Sequence, residues 1–405
     1  MQLVVFDDKN IDNFYPLTLT RSIGDLRVGI LKQRQRIASF FQDKKIGVWL
    51  TNKMVKLYQE RYPTWQINHI FPGEVLLINS RLKVDKKVLK KIEKLQNQVL
   101  KFDKQVVAAQ VSFNEEITDF KIVEEILANL SVVEIKEECL WNYLWEMVAE
   151  NSDNIQQDFD EYFYDKDNFF ETETGVTVLN PYNIWLGEDV KLYPGVILDA
   201  SKGAIVIDER AKVFPGCYIQ GPCFIGKNSV IKALSKIYEG TSIGPVCKIG
   251  GEIEESIIQA YSNKQHEGFL GHSYLGEWVN LGAGTSNSDL KNNYGTVQVY
   301  SYLDRKKIDS KQTFVGTFIG DHSKTAINSS INTGTVIGVA CNLFGNQIIS
   351  GFIPDFSWGN VGGLSNYKLE KFLQTADLVK RRRQLHLSEA EKELYTNIYW
   401  EKFDY

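Results

Sequence analysis

The chain has 405 residues, of which 43% are hydrophobic and 24% charged, so it is long enough for two or three globular domains. Its formal net charge of −5 gives no electrostatic reason to expect a nucleic-acid partner or a membrane surface, and no signal peptide or long apolar segment is recognisable, so we expect a cytoplasmic protein. The five cysteines are odd in number and include no CxxC pair, which argues against a disulfide framework and a zinc site.

The first 150 residues alternate between strand-like and helix-like patterns. Strands are predicted at 2–6, 46–50, 74–79 and 105–111, and helices at 23–41, 52–61, 84–98 and 114–130. This alternation is typical of an α/β domain with a largely parallel sheet. We therefore predict an α/β domain over residues 1–150, followed by a linker over residues 151–174.

From about Gly175 to Gly345, one aliphatic residue recurs every six positions. The clearest run is Ile207, Val213, Ile219, Ile225, Ile231, Ile237, Ile243 and Ile249. The same spacing then predicts inward positions at Ile257, Asn263, Phe269, Leu275 and Leu281. Helices repeat at three and four residues and strands at two, whereas a repeat of six is the signature of a parallel β-helix. We predict this fold over residues 175–358, with three six-residue units in each coil.

Beyond the β-helix the repeat is absent and helical patterns return. Residues 369–380 and 388–403 have the spacing of amphipathic helices, and Ser388 with Glu391 forms a capping-box pattern. We predict a C-terminal helical segment over residues 359–405.

Several segments resemble the bifunctional GlmU family, in which N-acetylglucosamine-1-phosphate uridyltransferase is joined to glucosamine-1-phosphate acetyltransferase. They are residues 6–8 (FDD), 16–21 (PLTLTR), 24–31 (GDLRVGIL), 76–81 (LLINSR), 274–276 (YLG) and 279–285 (VNLGAGT). The repeat itself is similar to that of hexapeptide-repeat acyltransferases, which implies a left-handed β-helix. The resemblance further implies acetyl-CoA as acyl donor, Mg²⁺ in the N-terminal domain, and a homotrimer with active sites between neighbouring subunits.

In the N-terminal domain, nucleotidyl transfer requires positive charge near the phosphates. Arg21, Arg27 and Lys32 are candidates for nucleotide binding, although each could equally be a solvated helix charge. The glycine-rich loop of the family is replaced here by residues 6–8, and its metal-binding aspartate falls at Asn79. An amide is a poorer Mg²⁺ ligand than a carboxylate, so we include Asn79 as a nucleotide contact and predict no metal ligands.

In the β-helix, His272 is the candidate general base. An acceptor amine must lose a proton as it attacks a thioester, and imidazole titrates near neutral pH. The family histidine lies three residues before the tyrosine, whereas His272 lies two before Tyr274, with Gly271 at the matching position. The base has therefore either moved by one residue or been lost, and His266 is a nearby substitute.

The resemblance also assigns ligand contacts. Tyr274 and Asn280 would contact the sugar of an amino-sugar phosphate, and Lys248 and Lys264 would bind its phosphate, unless these lysines are merely solvated.

The segment 286–312 interrupts the repeat, and segments of this kind usually cover a cleft between subunits, so Asn287 is a further sugar contact. Thr317 matches a position near acetyl-CoA, and the basic run 380–383 could meet its phosphates, although such a run is often only a solvated face.

Three hypotheses follow from these patterns. The leading one is a two-domain enzyme that N-acetylates an amino-sugar 1-phosphate in the β-helix and transfers a nucleotidyl group to a sugar 1-phosphate in the N-terminal domain. The second keeps only nucleotidyl transfer, with the β-helix as a trimerisation scaffold. The third is a non-catalytic protein that binds sugar nucleotides.

Overall fold

The computed structural model describes residues 1–41, 46–168 and 174–401. The N-terminal domain contains a seven-stranded sheet with the order β3-β2-β1-β4-β6-β5-β7. Its strands are β1 (Gln2–Phe6), β2 (Ile46–Trp49), β3 (Gln66–Ile67), β4 (Gly73–Asn79), β5 (Gln98–Phe102), β6 (Gln105–Phe113) and β7 (Ser131–Glu134). β1 is parallel to both β2 and β4, and only β6 runs antiparallel to its neighbours. The predicted mostly parallel α/β domain is confirmed.

Helices flank this sheet and follow the β-helix. They are α1 (Gln33–Phe40), α2 (Val55–Arg61), α3 (Lys86–Ile92), α4 (Phe120–Ala128), α5 (Leu144–Ala149), α6 (Asn151–Tyr162), α7 (Leu369–Arg381) and α8 (Glu389–Glu401). Short 3₁₀ helices span Lys9–Phe14, Leu17–Leu19, Ile23–Asp25, Asn52–Met54 and Pro181–Asn183. None of the helices in the described ranges has the length and apolar character needed to cross a bilayer.

Several predicted segments differ from the structure. The helix predicted over 84–98 ends at Ile92, and Gln98 already begins β5. The helix predicted over 23–41 begins only at Gln33, because the preceding residues are held in irregular conformation against the β-helix. The predicted linker begins with the helix α6, and its residues 169–173 lie outside the described part of the chain, as do residues 402–405 of the predicted C-terminal helix.

The β-helix has three faces, each a stack of short parallel strands. Face 1 contains Lys191–Leu192, Lys212–Val213, Val230–Ile231, Lys248–Ile249, Asn263–Lys264, Lys324–Thr325, Asn342–Leu343 and Ser357–Gly359, with Ser365–Asn366 antiparallel at its end. Face 2 contains Thr177–Leu179, Ile197–Asp199, Tyr218–Gln220, Lys236–Ile237, Glu252–Glu254 and Phe269–Gly271, continued by Ser286–Asn287 and Ser330–Ile331. Face 3 contains Ile184–Leu186, Ile205–Ile207, Cys223–Ile225, Thr241–Ile243, Ile257–Ala260, Tyr274–Glu277, Thr317–Ile319, Thr335–Ile337 and Phe352–Ile353. This is the three-faced architecture of the left-handed β-helix expected from the sequence.

An insertion (residues 288–316) interrupts the coils between faces 2 and 3. It carries an antiparallel hairpin of Gln298–Ser301 and Lys306–Asp309. The hairpin leaves the prism and reaches the N-terminal domain, where Val299 packs in the same cluster as Trp145.

The predicted inward ladder holds as far as Ile249. The coil between Ile243 and its partner Ile258 is three residues shorter than the coil between Ile225 and Ile243. The next inward residue on face 1 is consequently Lys264, in register with Ile249. The inward positions predicted at Ile257, Asn263 and Phe269 are therefore wrong by one residue, because a coil can lose part of a turn without disturbing the stacking of its strands. Leu275 and Leu281 point inward as predicted.

Lys264 thus places an ammonium group inside the prism. The side chain is 2% exposed, and Nζ donates hydrogen bonds of 2.9 Å to the carbonyl oxygens of Gly250 and His266. Burial lowers its pKa to about 8, with Glu267 and Glu252 opposing the shift. Lys264 is therefore a core residue here and not part of a phosphate site.

Most outward side chains of face 3 are apolar, and they lie beneath the rest of the chain. Val206 and Phe224 pack with Ile30 and Phe159, where α6 and the segment before α1 cross the prism. Further along, the outward residues of face 3 share a cluster with the N-terminal domain; its members include Phe14, Ile23, Leu26, Ile257, Tyr274, Phe318 and Val336. The two domains are joined by a common hydrophobic core.

The substitution Lys264→Met should flatten the pH dependence of stability. Because the folded-state pKa is lowered to about 8 from 10.5, the unfolded state binds more protons between these values, and wild-type stability rises as pH increases through this window. We expect the free energy of unfolding to rise about 2 kcal/mol more in wild type than in Lys264→Met between pH 7.5 and 10. Denaturant titrations measure this; the exposed Lys212→Met is the control, and parallel curves for wild type and Lys264→Met would refute the interpretation.

Candidate active sites

His272 lies at the corner between faces 2 and 3. Its φ of 46° is left-handed, a conformation that histidine tolerates better than most non-glycine residues. Its backbone N–H donates to the carbonyl oxygen of Glu254 at 3.2 Å, and its carbonyl oxygen accepts from the N–H of Gly316 at 2.8 Å. The coils on both sides therefore fix the backbone from which the imidazole projects.

The imidazole of His272 is paired with a carboxylate from the insertion. Nδ1 lies 2.8 Å from Oδ2 of Asp289, and Phe314, at the other end of the insertion, stacks on the ring with a centroid distance of 5.1 Å. The side chains of His272 and Asp289 are 19% and 15% exposed. A carboxylate at Nδ1 favours the tautomer whose Nε2 is unprotonated, which a general base requires. Sequence reasoning missed Asp289, since no motif marks it.

Two further carboxylates lie on the preceding coil. Burial raises the pKa of Glu255 to about 7, while the nearby His272 opposes the shift. Burial also raises the pKa of Glu254, again opposed by His272. Together with Asp289 they surround the corner with negative potential, which attracts a cationic amine.

Asn287 supports this corner from within. Its Oδ1 accepts the N–H of Gly271 at 2.8 Å, and its Nδ2 donates to the carbonyl oxygen of Gly271 at 3.0 Å. The side chain therefore pairs with the backbone as a neighbouring strand would. At 7% exposure it positions the residue next to His272 and offers no surface to a sugar, contrary to the sequence-based expectation.

The side chains of Tyr274 and Thr317 point into the interior of the protein. The hydroxyl of Tyr274 donates to the carbonyl oxygen of Arg27 at 2.7 Å, beneath the N-terminal domain. Thr317 donates from Oγ1 to the carbonyl oxygen of Thr335 at 2.9 Å, and its N–H donates to Oγ of Ser273. Both residues are 0% exposed, so the expected contacts with sugar and acetyl-CoA are corrected to structural roles.

Lys248 and Asn280 project from face 1, on another side of the prism. Nη2 of Arg383 donates to Oδ1 of Asn263 at 3.2 Å, and Nδ2 of Asn263 donates to Oδ1 of Asn280 at 3.4 Å. Burial together with Arg383, Arg382 and Lys232 lowers the pKa of Lys248. The end of α7 therefore lies on face 1 and forms a cationic patch, defined as Lys232, Lys248, Arg382 and Arg383.

The other basic and histidine candidates lie elsewhere. Lys380, in the run predicted to meet CoA, is buried and pairs with Glu391. His266 is exposed at the corner between faces 1 and 2, whereas His272 occupies the corner between faces 2 and 3. Within one chain, the cationic patch and His272 thus occupy different sides of the prism.

The N-terminal candidate site lies at the carboxyl ends of β1 and β4. β2 and β4 lie on opposite sides of β1, so the strand order reverses at β1. Open α/β sheets bind ligands at such a switch point. A cavity of about 490 Å³ opens here, lined by residues that include Asp7, Asp8, Lys9, Lys101 and Lys104. We call this cavity the crevice.

Asp7 directly follows β1, and its carboxylate is shielded from solvent. Its Oδ1 accepts from Oγ of Ser22 at 2.9 Å and of Ser80 at 2.6 Å. Its Oδ2 is buried without a hydrogen-bond partner among the described residues. Burial raises the pKa of Asp7 to about 7.

Asp8 is neutralised by a buried arginine, and the crevice does not fit a Mg²⁺ site. Nη2 of Arg81, which is 0% exposed, lies 2.5 Å from Oδ2 of Asp8, and Nδ2 of the buried Asn79 donates to the same oxygen at 3.0 Å. The guanidinium of Arg81 and the amide N–H of Asn79 already bind the carboxylate oxygen that a cation would need. In the described ranges, no group of three or more His, Cys, Asp or Glu side chains is arranged to hold a metal.

None of the three basic candidates of the N-terminal domain lines the crevice. Arg21 is buried in an ion pair with Asp321 and lies 3.6 Å from Glu277. Arg27 donates to the carbonyl oxygen of Ile30 and stacks over a ring of face 3, whereas Lys32 pairs with Asp25 at 3.1 Å. The expected role of Arg21 and Arg27 as nucleotide contacts is corrected, because both are buried against the β-helix. Lys32 is instead held in an ion pair within its own domain.

Comparison with known proteins relates this architecture to nucleotide-sugar enzymes. A family model described as sugar nucleotidyl transferase matches residues 3–164. The chain is 35% identical over 155 residues to a bifunctional sugar-1-phosphate nucleotidylyltransferase/acetyltransferase of Sulfurisphaera tokodaii, covering 37% of each protein. It is 29% identical over 213 residues to the bifunctional protein GlmU of Thermotoga maritima, covering 46% of this chain and 42% of that protein.

The chain thus matches less than half the length of these relatives. A solved structure of Arabidopsis UDP-N-acetylglucosamine acyltransferase aligns with 52% of this chain and 77% of that chain at 13% identity, with a TM-score of 0.20. The N-terminal domain is similar to sugar nucleotidyl transferases. More particularly, the chain is similar to bifunctional proteins of the GlmU type, as the sequence motifs indicated.

The substitution Arg21→Ala should destabilise the protein by about 3–5 kcal/mol, because it leaves buried carboxylates unpaired at the domain interface. The control Lys56→Ala breaks an ion pair with Glu393 whose side chains are 68% and 48% exposed, and should cost less than about 1 kcal/mol. Denaturant unfolding compares the two. Equal losses would argue against the assigned interface role of Arg21.

Proposed function

We propose that this protein is an enzyme of nucleotide-sugar biosynthesis whose β-helix transfers an acyl group, acetyl in the simplest case, from CoA to the amine of an amino-sugar phosphate. The observation that carries the proposal is the pairing of His272 with Asp289 at 2.8 Å on an open corner of the prism. Similarity to bifunctional nucleotidylyltransferase/acetyltransferases supports the same chemistry.

His272 acts as the general base. Its Nε2 accepts a proton from the acceptor nitrogen as that nitrogen bonds to the acyl carbon, and the imidazolium can return the proton to the departing thiolate. Asp289 keeps Nδ1 protonated and stabilises the imidazolium. Acetyl-CoA supplies the acyl group as a thioester. Glu254 and Glu255 raise the local concentration of the cationic acceptor.

The cationic patch has the charge to hold the phosphates of CoA. Because the patch and His272 lie on different sides of one prism, a complete site requires the patch of one subunit and His272 of another. We infer a homotrimer, in which each chain contributes to two sites. Face 3 is already covered by the chain's own N-terminal domain, so neighbouring subunits would meet through the other two faces and their corners.

The N-terminal domain has nucleotidyl transfer to a sugar 1-phosphate as its proposed activity. The support is the family match over residues 3–164 and the position of the crevice at the switch point of the sheet. Binding of nucleoside triphosphate without turnover would favour the non-catalytic alternative. The Asp8–Arg81 ion pair also favours that alternative, because it occupies the carboxylate that a metal ion would need.

We expect His272→Asn to lower acetyl transfer to glucosamine 1-phosphate by about 10²–10⁴-fold, the usual contribution of a general base. Asparagine tolerates the left-handed backbone at this position, so the substitution removes the base without strain. Asp289→Asn should lower kcat by about 10–100-fold through loss of imidazole orientation. Released thiol measures turnover.

The control for this experiment is His266→Asn at another corner, which should retain wild-type turnover. The assignment would be overturned if His266→Asn lost turnover while His272→Asn kept the turnover of wild type. Absence of thiol release from wild type with all amino-sugar phosphates tested would reject acyl transfer and favour a scaffold role for the β-helix.

Mixed assemblies test the shared site. His272→Asn and Lys248→Glu should each be nearly inactive alone, whereas chains refolded together should recover roughly a quarter of wild-type turnover, because random pairing leaves that fraction of interfaces with both native residues. Light scattering should give a trimeric mass. A monomeric mass, or a trimer that gains nothing on mixing, would contradict the inferred arrangement.

A further inference from the structure

The outer surface of the prism beside His272 has one position without a side chain, Gly271. This residue ends the strand Phe269–Gly271 and faces outward, because its neighbour Leu270 is buried inside the prism. Strands of the same face on other coils end in residues that carry side chains, namely Asp199, Gln220 and Glu254. The backbone of Gly271 does not have the left-handed φ that would favour glycine. The missing side chain, and not the backbone conformation, is therefore the property that distinguishes this position.

The space above Gly271 is filled by the carboxylate that pairs with His272. A Cβ atom at residue 271 would lie 2.5 Å from Cζ of Phe269 and closer still to Oδ2 of Asp289. Non-bonded carbon atoms in ordinary contact are about 3.5–4.0 Å apart, so even alanine does not fit at residue 271 while Asp289 stays in place. The same Oδ2 lies 2.8 Å from Nδ1 of His272. The bare surface of Gly271 is thus the seat of the Asp289 carboxylate.

The insertion is closed tightly over this seat. The N–H of Val315 donates to the carbonyl oxygen of Asp289 at 2.8 Å, which joins the two ends of the insertion. The N–H of Gly316 donates to the carbonyl oxygen of His272 at 2.8 Å, and a Cβ atom at residue 316 would collide with the carbonyl oxygen of Gly271. The backbone of Asp289 is therefore fixed, and its carboxylate has room only because residue 271 has no side chain.

We propose that Gly271 is a positioning residue for acyl transfer. The absence of a side chain at this position seats Asp289 against Nδ1 of His272, which keeps Nε2 free to accept a proton. The consequence for turnover rests on the proposed function, whereas the seat itself does not.

Position 271 is also where the resemblance to the GlmU family places the histidine. A side chain at residue 271 and the carboxylate of Asp289 in its present place exclude each other, because both need the same space. The shift of the histidine by one residue and the recruitment of Asp289 are therefore a single structural change.

The substitution Gly271→Ala tests this proposal, because the atoms that must move are the ends of two side chains, Asp289 and Phe269. We expect it to lower kcat for thiol release about 10–100-fold, as Asp289→Asn does. In the Asp289→Asn background the same substitution should lower kcat less than about twofold, because both changes remove one interaction. The control is Gly363→Ala, where a Cβ atom would lie 3.7 Å from Oδ1 of Asn360; it should leave turnover unchanged.

The position of the imidazole proton is a readout that does not require turnover. At about pH 9 a histidine is neutral, and nitrogen NMR distinguishes a proton on Nδ1 from one on Nε2. The signal that is missing in His272→Asn identifies the ring. We expect Nδ1 to carry the proton in wild type and in Gly363→Ala. In Gly271→Ala and in Asp289→Asn the tautomer with the proton on Nε2 should gain population, because Nδ1 has lost its acceptor.

A proton that stays on Nδ1 in Gly271→Ala, or equal losses of turnover in the two backgrounds, would overturn the positioning role. A wild type that releases no thiol, but whose imidazole proton moves in Gly271→Ala, would refute acyl transfer and support the seat. A wild type that releases thiol at a rate that Gly271→Ala retains would refute the positioning role and leave acyl transfer intact.

Discussion

The structure depends on the burial of one outward face of the β-helix. A prism of this kind hides one set of aliphatic side chains inside itself, but here face 3 also carries apolar residues outward, among them Phe224 and Phe318. Burying a side chain of this size contributes about 2 kcal/mol, so covering a whole face outweighs the cost of ordering the segment that covers it. The N-terminal domain and α6 provide that cover, and the irregular conformation before α1 follows from it. The buried ion pairs of the interface, such as Arg21 with Asp321, fix the docking geometry more than they add stability.

This docking decides where chemistry can occur. Residues of face 3 and the basic residues opposite it are withdrawn from any ligand, which leaves the corners, faces 1 and 2, and the cavities beside the N-terminal sheet. The insertion then serves two places at once. Its two ends hold Asp289 and Phe314 against His272, and its hairpin packs against the N-terminal domain through Val299. The insertion thus contacts both the candidate acyl-transfer site and the N-terminal domain.

Sequence reasoning succeeded where the signal was local and periodic. The six-residue repeat identified the β-helix and its inward ladder up to Ile249, and the motif around Tyr274 pointed to the coil that carries His272. It failed at three ladder positions after Ile249 (Ile257, Asn263 and Phe269) and was correct again from Leu275 onward, because the length of a turn between stacked strands is not constrained by the side chains inside. It also assigned ligand contacts to Tyr274, Thr317 and Lys264, since a motif shows which coil is involved but not which side of that coil faces solvent.

The sequence by itself determined the class of each domain, the order of the domains and the histidine that we propose as the general base. These properties follow from patterns within a few residues. Only the tertiary structure decided which charged residues remain free, because that depends on partners far apart in the chain. Asp289 reaches His272 from 17 residues away, and Arg81 neutralises Asp8 across 73 residues. The same long-range packing turned Arg21 into a docking residue, since a surface shared by two domains exists only after both have folded and met.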